Sequence, residues 1–141
     1  KKLAKSNIPY LLGRILAIYD AIEQYALNIQ KEDRPTNAMR LYAPFQEHPF
    51  VTLTTIDKKI RPYVEKLGRK CDYLLSMKQD LMEELYTEMD IEAVEHIQNL
   101  NAYFVIGFDC QRNEIKRINT ERKEKNKQKE ESKLWQHSQT K

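Results

Sequence analysis

Ten arginine and lysine side chains are the residues of this sequence whose type and placement could do chemistry. Guanidinium and ammonium groups bind phosphate oxygens, and several on one surface can neutralise a nucleic-acid backbone without reading its bases. The candidates lie in or beside predicted helices, and they are Arg14, Arg40, Lys58, Lys59, Arg61, Arg69, Lys70, Arg112, Lys116 and Arg117. The alternative interpretation is that these residues are ordinary solubilising charges.

The sequence does not contain the patterns that catalytic or metal sites require. The histidines His48, His96 and His137 are scattered, and no cysteine or carboxylate lies near them at metal-ligand spacing. There is no glycine-rich phosphate loop, and no serine or cysteine lies in a nucleophile motif. We therefore predict that the protein is not an enzyme and that it holds no metal ion or other cofactor.

The basic residues are concentrated towards the end of the chain. The formal net charge of the 141 residues is +3 at pH 7. Residues 112–141 contain ten Lys and Arg and five Asp and Glu, whereas residues 1–111 contain fourteen and sixteen, so the net charges are +5 and −2. A ligand that is attracted to the C-terminal part should therefore be anionic.

The longest apolar pattern that could position these groups covers residues 91–118. Its apolar side chains recur in steps of three, four and seven, as on one face of a helix, and they are Val94, Ile97, Leu100, Phe104, Phe108, Ile115 and Ile118. Residues 103–108 taken alone could form a buried strand, because they are aromatic and β-branched. The helical period on both sides favours a helix. Because 103–108 is apolar on every side, we predict a central helix surrounded by other elements.

Four further helices are predicted, at about residues 8–30, 36–43, 49–67 and 69–89. Thr36 is a candidate N-cap for the second. Pro44 should end that helix, because a proline inside a helix loses a hydrogen bond and clashes with the preceding turn. Gly68 is a natural stop for the third helix, which should bend at Pro62. The fourth should bury Leu74, Met77, Leu81 and Leu85.

The helix predicted at 8–30 has a broad apolar stripe interrupted by one glycine. The stripe comprises Ile8, Leu11, Leu12, Ile15, Ile18, Tyr19, Ile22, Tyr25, Ala26 and Ile29, and the opposite polar face carries Asp20, Gln24, Asn28 and Lys31. A glycine lowers helix stability by roughly 1 kcal/mol relative to alanine. We hypothesise that this helix crosses the central helix near Gly13 and Gly107, since neither glycine has a Cβ to hold the other helix away.

Length and composition limit the fold class. With 141 residues and three glycines, the chain is predicted to be all-α, a bundle of about five helices over residues 1–118. Residues 119–141 are mostly charged or amide side chains around an isolated Trp135, and should form a charged helical or disordered tail. No apolar run is long enough to span a bilayer. Cys71 and Cys110 are interpreted as reduced, semi-buried thiols of a cytoplasmic protein.

Four short segments resemble one protein family in their order and spacing. Residues 10–14, YLLGR, resemble the "YxLGRLFA" that opens the C-terminal region of the type I-C CRISPR large subunit. Residues 104–112, FVIGFDCQR, resemble that family's "F-x-L-G-Y-Y-H-Q-R" near its C-terminus. Residues 40–43 and 48–51 follow its "RYF" and "TPxxxFP" segments. The sequence departs from the family at Asp109 and Cys110, so no role of the family's histidine is transferred.

The resemblance implies a helical subunit in the belly of Cascade, the RNA-guided surveillance complex of bacteria. In that family this region is also made as a separate small subunit, and we expect the chain to be this free-standing form. The implied partners are other copies of itself, the backbone and large subunits, the guide RNA complex and the target DNA. The implied role is to hold the R-loop and the displaced non-target strand. Among the matching positions, Arg14 and Arg112 should lie near nucleic acid, whereas Gly13 and Gly107 should be packing residues and Gln111 has no assigned role.

Two alternatives to a CRISPR subunit remain open at this point. The first is a purely structural helical adaptor between proteins, whose charges only keep it soluble. The second is a small helical enzyme, for which the sequence offers no supporting motif. Reversal of Lys58, Lys59 and Arg61 to Glu separates the CRISPR subunit from the adaptor. The CRISPR subunit predicts loss of R-loop formation with assembly intact, whereas the adaptor predicts no change in DNA binding.

Overall fold

The protein is described by a computed structural model that covers residues 7–28, 34–88, 100 and 102–139. These ranges contain no β-strand, so the prediction of an all-α bundle is confirmed. The helices follow in chain order as α1 (Asn7–Leu27), α2 (Asn37–Arg40), α3 (Tyr42–Glu47), α4 (Pro49–Leu67), a 3-10 turn (Gly68–Cys71), α5 (Asp72–Glu88) and α6 (Ala102–Gln139). Residues 103–108 are helical, as the helical period indicated.

The central element of the bundle is α1, and not the helix that contains residues 103–108 as predicted. α1 packs against α2, α4, α5 and α6. Its side chains are buried on every side, and those with no exposed surface include Leu12, Ile15, Leu16, Ile18 and Ile22. A helix that is apolar all round must have neighbours on all sides, and this rule applies to α1 rather than to α6.

α1 and α6 cross where Gly13 and Gly107 lie, as predicted, and their backbones touch there. A Cβ added to Gly13 would collide with the carbonyl oxygen of Phe104 and lie 2.8 Å from the amide nitrogen of Phe108. A Cβ added to Gly107 would collide with the carbonyl oxygen of Tyr10 and lie 2.9 Å from its carbonyl carbon. Because Cβ atoms essentially never approach other atoms within 3.0 Å, this crossing requires glycine on both helices.

Aromatic rings from α3 fill the space beside the crossing. Tyr42 lies edge-on to Phe104 and Phe108, with ring centroids 5.2 and 5.3 Å apart. Phe45 stacks on Phe104 with centroids 5.5 Å apart. Such pairs contribute about 0.5–1.5 kcal/mol each beyond the area they bury. The short α3 therefore holds the two rings of α6 that flank Gly107.

The prediction that residues 103–108 are enclosed is wrong. Phe104 and Phe108 are buried, but Tyr103, Val105 and Ile106 are 44%, 42% and 49% exposed. The reason is that α6 lies against α1 on one face, so that only residues at helical spacing on that face are covered. These three apolar side chains are exposed on the surface of the described chain, and Tyr103 and Ile106 lie one helical turn apart.

The start of α6 also differs from the prediction. Leu100 is not helical, because its N–H donates to the carbonyl oxygen of Gln46 in α3 at 3.1 Å. The helix therefore begins at Ala102 rather than continuing through Leu100. The remainder of the predicted helical segment, residues 91–99, lies outside the described residues.

α1 ends at Leu27, three residues before the predicted end. Asn28 has a φ of 51°, a left-handed conformation that asparagine adopts more readily than most residues and that is common just after a helix. Tyr25, which was predicted to join the apolar stripe, is 50% exposed. The predicted positions of Ile29 and Lys31 lie outside the described residues.

Asp20 was predicted on the polar face of α1 but is only 3% exposed. Thr36 lies over the carboxylate of Asp20, and the hydroxyl of Thr36 donates a hydrogen bond to that carboxylate. The same hydroxyl accepts a hydrogen bond from the N–H of Met39 at 3.2 Å. Thr36 is therefore the N-cap of α2, as predicted. The fully buried Glu23 accepts from both the backbone and side-chain nitrogens of Asn37 at 2.9 Å. Two carboxylates of α1 thus fix the start of α2.

The proline and glycine positions confirm one prediction and correct another. α4 spans Pro49 to Leu67 as predicted and is followed by Gly68 with a φ of 57°. Pro44 does not end a helix but lies in the first turn of α3. A proline is tolerated there because the N–H groups of the first turn have no partner within the helix.

α5 begins three residues later than predicted, because the 3-10 turn occupies the residues up to Cys71. It buries three of the predicted side chains, which are Leu74, Leu81 and Leu85, while Met77 is half-buried. Cys71 and Cys110 are both free, but one is buried and the other exposed, so neither is semi-buried as predicted. In the ranges that the structure covers, no helix is both long and apolar enough to cross a membrane.

The second half of α6 continues as helix but has no packed face. Every side chain from residue 119 to residue 136 is exposed, including Leu134 and Trp135 at 71% and 63%. The helix has 38 residues, which corresponds to a length of about 57 Å. Its first half belongs to the core, whereas its second half presents charged side chains to the solvent.

Replacing Gly107 with alanine should destabilise the fold by about 1–3 kcal/mol, because the added methyl group overpacks the crossing. Helix propensity alone predicts the opposite sign, a stabilisation of about 1 kcal/mol. Leucine at this position should cost more than alanine does. Urea unfolding followed by circular dichroism measures the effect, with Cys110→Ala on the exposed face of α6 as the control. An alanine variant that is more stable than the wild type would contradict the crossing.

Asp20 should lower the stability of the fold as pH rises. Burial raises the pKa of Asp20 above its ordinary value of 3.8, although hydrogen bonds from Thr36 and Gln24 oppose the shift. The native state then binds more protons than the unfolded state, so the contribution of Asp20 is fully present below about pH 4 and is lost as pH rises through the folded pKa.

Asp20→Asn should remove the pH-dependent contribution of Asp20 to the free energy of unfolding while keeping the shape of the side chain. The free energies of unfolding of the wild type and the variant, measured by urea titration from about pH 4 to about pH 7, should diverge in favour of the variant. A difference between the two proteins that stays constant across this range would contradict the assignment.

Candidate nucleic-acid interface

A cleft of about 860 Å³ lies between the second half of α1, the first turn of α5 and α6. It extends along α1 from Ala17 to Asn28 and along α6 from Arg112 to Lys129. The small side chains of Ala17 and Ala21 line its α1 wall. The cleft is therefore a groove between two helices that meet in backbone contact at the glycine crossing.

The cleft is strongly basic. Six cationic side chains line it, and they are Arg112, Lys116, Arg122, Lys123, Lys125 and Lys129. Asp20 is the one carboxylate among the lining residues, and only 3% of it is exposed. A groove lined by charges of one sign concentrates counter-ions of the opposite sign. The arrangement is suited to bind an extended anion.

The helical repeat separates the charges of α6 into two faces. Positions 112, 116, 119, 123 and 126 follow one another in steps of three and four, so they project to the same side. The acidic residues fall mainly on the other side, at Glu114, Glu121, Glu124 and Glu131, while the spacing of Glu130 returns it to the cationic side. Arg122, Lys125 and Lys129 lie about five helical turns after Phe104, Gly107 and Gln111, so they continue the row that is buried at the crossing. The two adjoining rows together line the cleft.

Tyr73 of α5 fixes α6 at the middle of the cleft. Its hydroxyl donates to Oδ1 of Asn119 at 2.6 Å. The guanidinium of Arg122 lies over the ring of Tyr73, 4.4 Å from its centroid. Burial raises the pKa of the Tyr73 hydroxyl, which keeps it protonated as a donor. An arginine stacked on an aromatic ring is held in a defined orientation and still has N–H groups for phosphate.

Arg112 lies at the end of the cleft that is nearest to the crossing. It is half-buried, and its guanidinium lies 5.5 Å from the centroid of the Phe108 ring. Its charge lowers the pKa of Asp20, in opposition to the larger effect of burial. Among the ten cations predicted from the sequence, Arg112 and Lys116 are the two that line the cleft.

Arg14 joins the two helices at the crossing instead of lining the cleft. Its Nε donates to Oε1 of Gln111 at 2.8 Å, and its guanidinium lies 5.6 Å from the centroid of the Tyr10 ring. Gln111 is 1% exposed, and its amide nitrogen lies 3.9 Å from the sulfur of Met77. The motif positions 13, 14, 107 and 111 therefore meet at one contact between α1 and α6.

The other predicted cations are dispersed over the surface and are not brought together with the cleft. Arg40 ends α2, Lys58, Lys59 and Arg61 lie on α4, and Arg69 and Lys70 lie in the 3-10 turn, all of them exposed. Arg117 is exposed but paired with Glu114 and Glu121 at 3.0 and 2.7 Å. Pairing of this kind reduces the charge that is available to an outside anion.

A second polar cluster joins α1, α4 and α5 around Asp57. Its carboxylate accepts from the hydroxyl of Tyr19 at 2.9 Å and pairs with Lys78 and Arg61 at 3.6 and 3.5 Å. Burial raises the pKa of Tyr19. This cluster is a structural bridge in which each charge already has a partner. Within the described residues, no group of three or more histidine, cysteine or acidic side chains is placed to hold a metal ion.

Sequence reasoning missed four of the six cations of the cleft, which are Arg122, Lys123, Lys125 and Lys129. The signal for them was present, because the net charge of +5 lies in residues 112–141. Lys123 also lies on the same helical row as Arg112 and Lys116, whereas Arg122, Lys125 and Lys129 lie on an adjoining row. They were missed because residues 119–141 were interpreted as a tail without a defined surface.

Residues 2–116 match the family described as CRISPR-associated protein (Cas_Csd1). The matched span covers α1, the glycine crossing and the first cations of the cleft, and it ends at Lys116. No curated protein and no solved structure matches the chain. A match over most of the 141 residues is sufficient to assign the family, so the chain belongs to the Cas_Csd1 family of CRISPR-associated proteins.

Proposed function

We propose that the protein is the non-catalytic small subunit of a cytoplasmic type I-C Cascade complex and that it stabilises the R-loop by binding the displaced non-target DNA strand. The observation that carries this proposal is the cleft, in which six cations face one buried carboxylate. The family assignment supports a role within a CRISPR complex.

The energetics of R-loop formation suit a weak, sequence-independent contact of this kind. The guide RNA supplies sequence recognition, and the exchange of one duplex for another is nearly balanced in free energy. A few phosphate contacts on the displaced strand can therefore shift the balance without base readout. The cleft cations between Arg112 and Lys129 span several turns of one helix, which allows successive phosphates to be bound along it.

The proposed partners within the complex are other copies of the chain and the backbone and large subunits. Tyr103 and Ile106, one helical turn apart on α6, form a small exposed apolar patch. It supports contact with protein, because clusters of exposed apolar side chains often mark interaction sites. This patch also supports the alternative function, a structural adaptor that makes no nucleic-acid contacts. The cleft favours the first function, since a protein adaptor has no need for segregated cations.

Reversing two charges in the cleft, Lys123→Glu with Lys129→Glu, should weaken binding of a single-stranded oligodeoxynucleotide about tenfold or more. The variant loses two phosphate contacts and adds two repulsions. The matched control makes the same charge change on α4, Lys58→Glu with Lys59→Glu, where both side chains are exposed outside the cleft. Fluorescence anisotropy at fixed salt measures both affinities. The control should bind nearly as tightly as the wild type.

The salt dependence gives an independent readout from the same titrations. Each neutralised phosphate contributes roughly −0.7 to the slope of log affinity against log salt, so the cleft variant should be shallower by about 1.4. Binding that does not depend on salt would contradict the mechanism. A larger loss in the α4 control than in the cleft variant would move the binding surface to Lys58 and Lys59.

In the assembled complex, Lys123→Glu with Lys129→Glu should leave subunit assembly intact and reduce R-loop formation. The reason is that the displaced strand loses its binding surface while the protein contacts remain. R-loops are measured on a supercoiled plasmid by permanganate footprinting of the unpaired strand. Normal R-loop formation by a fully assembled variant complex would favour the structural adaptor.

A further inference from the structure

The cleft contains an aromatic ring that phosphate binding does not require, namely Tyr25 of α1. We propose that Tyr25 is a stacking platform for an unpaired base, so that the cleft selects single-stranded DNA over duplex DNA. This inference rests on the proposed function, because it concerns the ligand of the same cleft. It adds a specificity-determining residue to a surface that otherwise recognises only charge.

Tyr25 lies on the side of α1 that faces the cleft. Of its same-face neighbours on α1, Ile22 is 0% exposed, Ala21 is half-buried and Asn28 is exposed, and Tyr25 itself is 50% exposed and lines the cleft. A large aromatic side chain gains free energy by leaving water. In this position Tyr25 is left half in solvent, in a groove that attracts anions.

The second tyrosine of the cleft provides a contrast. Tyr73 carries the guanidinium of Arg122 over its ring, and its hydroxyl is bonded to Asn119. Tyr25 is close enough to influence the pKa of Tyr73, but within the described residues no cation is stacked on its ring. Tyr73 therefore positions a phosphate-binding arginine, whereas half of the surface of Tyr25 is accessible to a ligand.

The two kinds of group lie on different walls of the cleft, with cations along α6 and the ring of Tyr25 on α1. A strand that binds the cations of α6 through its phosphates would leave its bases free to reach the α1 wall of the cleft, where Tyr25 lies. Stacking on an aromatic ring is tolerant of sequence, because every base has a flat face. In a duplex the bases are stacked and paired internally, so that only the phosphates would reach the cleft.

The test compares three DNA probes on the wild-type 141-residue chain and on two variants. The probes are a single-stranded oligodeoxynucleotide, the same length of abasic deoxyribose phosphate, and the corresponding duplex. Tyr25→Ala should bind the single strand about 5- to 150-fold more weakly than the wild type, in line with base–aromatic stacking measured by alanine substitution. Tyr25→Phe keeps the ring and should bind like the wild type.

The wild type should bind the single-stranded probe more tightly than the abasic probe, by the same factor by which Tyr25→Ala weakens binding of the single strand. Tyr25→Ala itself should bind these two probes with equal affinity. The salt slope should be the same in both proteins, because no phosphate contact is removed. Equal affinity of the wild type for the single-stranded and abasic probes would overturn the stacking role. This comparison uses the wild type alone, so it does not depend on the folding of a variant.

This outcome is distinguishable from failure of the proposed function. If the stacking role alone fails, the wild type still binds all three probes in a salt-dependent way, and Lys123→Glu with Lys129→Glu still weakens each of them. If the proposed function fails, the wild type binds none of the probes or the charge reversal has no effect. Both results overturn the proposal for Tyr25, but only the second overturns the cleft.

Discussion

The structure depends on the backbone contact between α1 and α6 at Gly13 and Gly107. Each glycine costs its helix roughly 1 kcal/mol relative to alanine, and this cost is offset by the burial of Phe104 and Phe108 beside the crossing. The contact fixes which face of α6 turns towards α1. Because Arg122, Lys125 and Lys129 are in helical register with the residues of α6 that are buried at the crossing, the crossing also decides that they face the cleft.

α6 has two parts with different physical roles. Up to Ile115 it supplies core side chains, whereas from Asn119 onwards every described side chain up to residue 136 is exposed. A helix without a packed face gains little from tertiary contacts, so the second part depends on propagation from the first. Its cations also repel one another along the face that lines the cleft. An anion bound in the cleft would relieve this repulsion and stabilise the second part.

Local signals in the sequence were sufficient for most of the helices and for the crossing. The Pro49 start and Gly68 stop of α4 and the Thr36 cap were predicted correctly, because each depends on backbone geometry near that residue. The contact between the two glycines was predictable because glycine weakens a helix unless the close approach of a neighbouring helix compensates. Long-range contacts produced the errors. The buried position of Asp20 comes from Thr36, and the late start of α6 comes from a bond between Leu100 and Gln46.

At the candidate site, too, local signals were sufficient for part of the prediction and long-range contacts decided the rest. Charge counting identified the correct region of the chain, but residue types could not tell which cations share a groove and which are paired elsewhere. Arg14 is bonded to Gln111 and Arg117 to two glutamates, whereas Arg122 is aligned by Tyr73 from another helix. Only the packing of α1, α5 and α6 distinguishes these cases.

Hydrogen–deuterium exchange of the chain with and without single-stranded DNA tests the central claim most directly. The exposed second half of α6 should exchange rapidly in the free protein, because its hydrogen bonds lie next to solvent and few contacts oppose local opening. With DNA bound, protection should appear from Arg112 to Lys129 and at the end of α1, and not around Lys58 and Lys59 of α4. Protection confined to α4, or none along α6 under conditions where DNA is bound, would contradict the account.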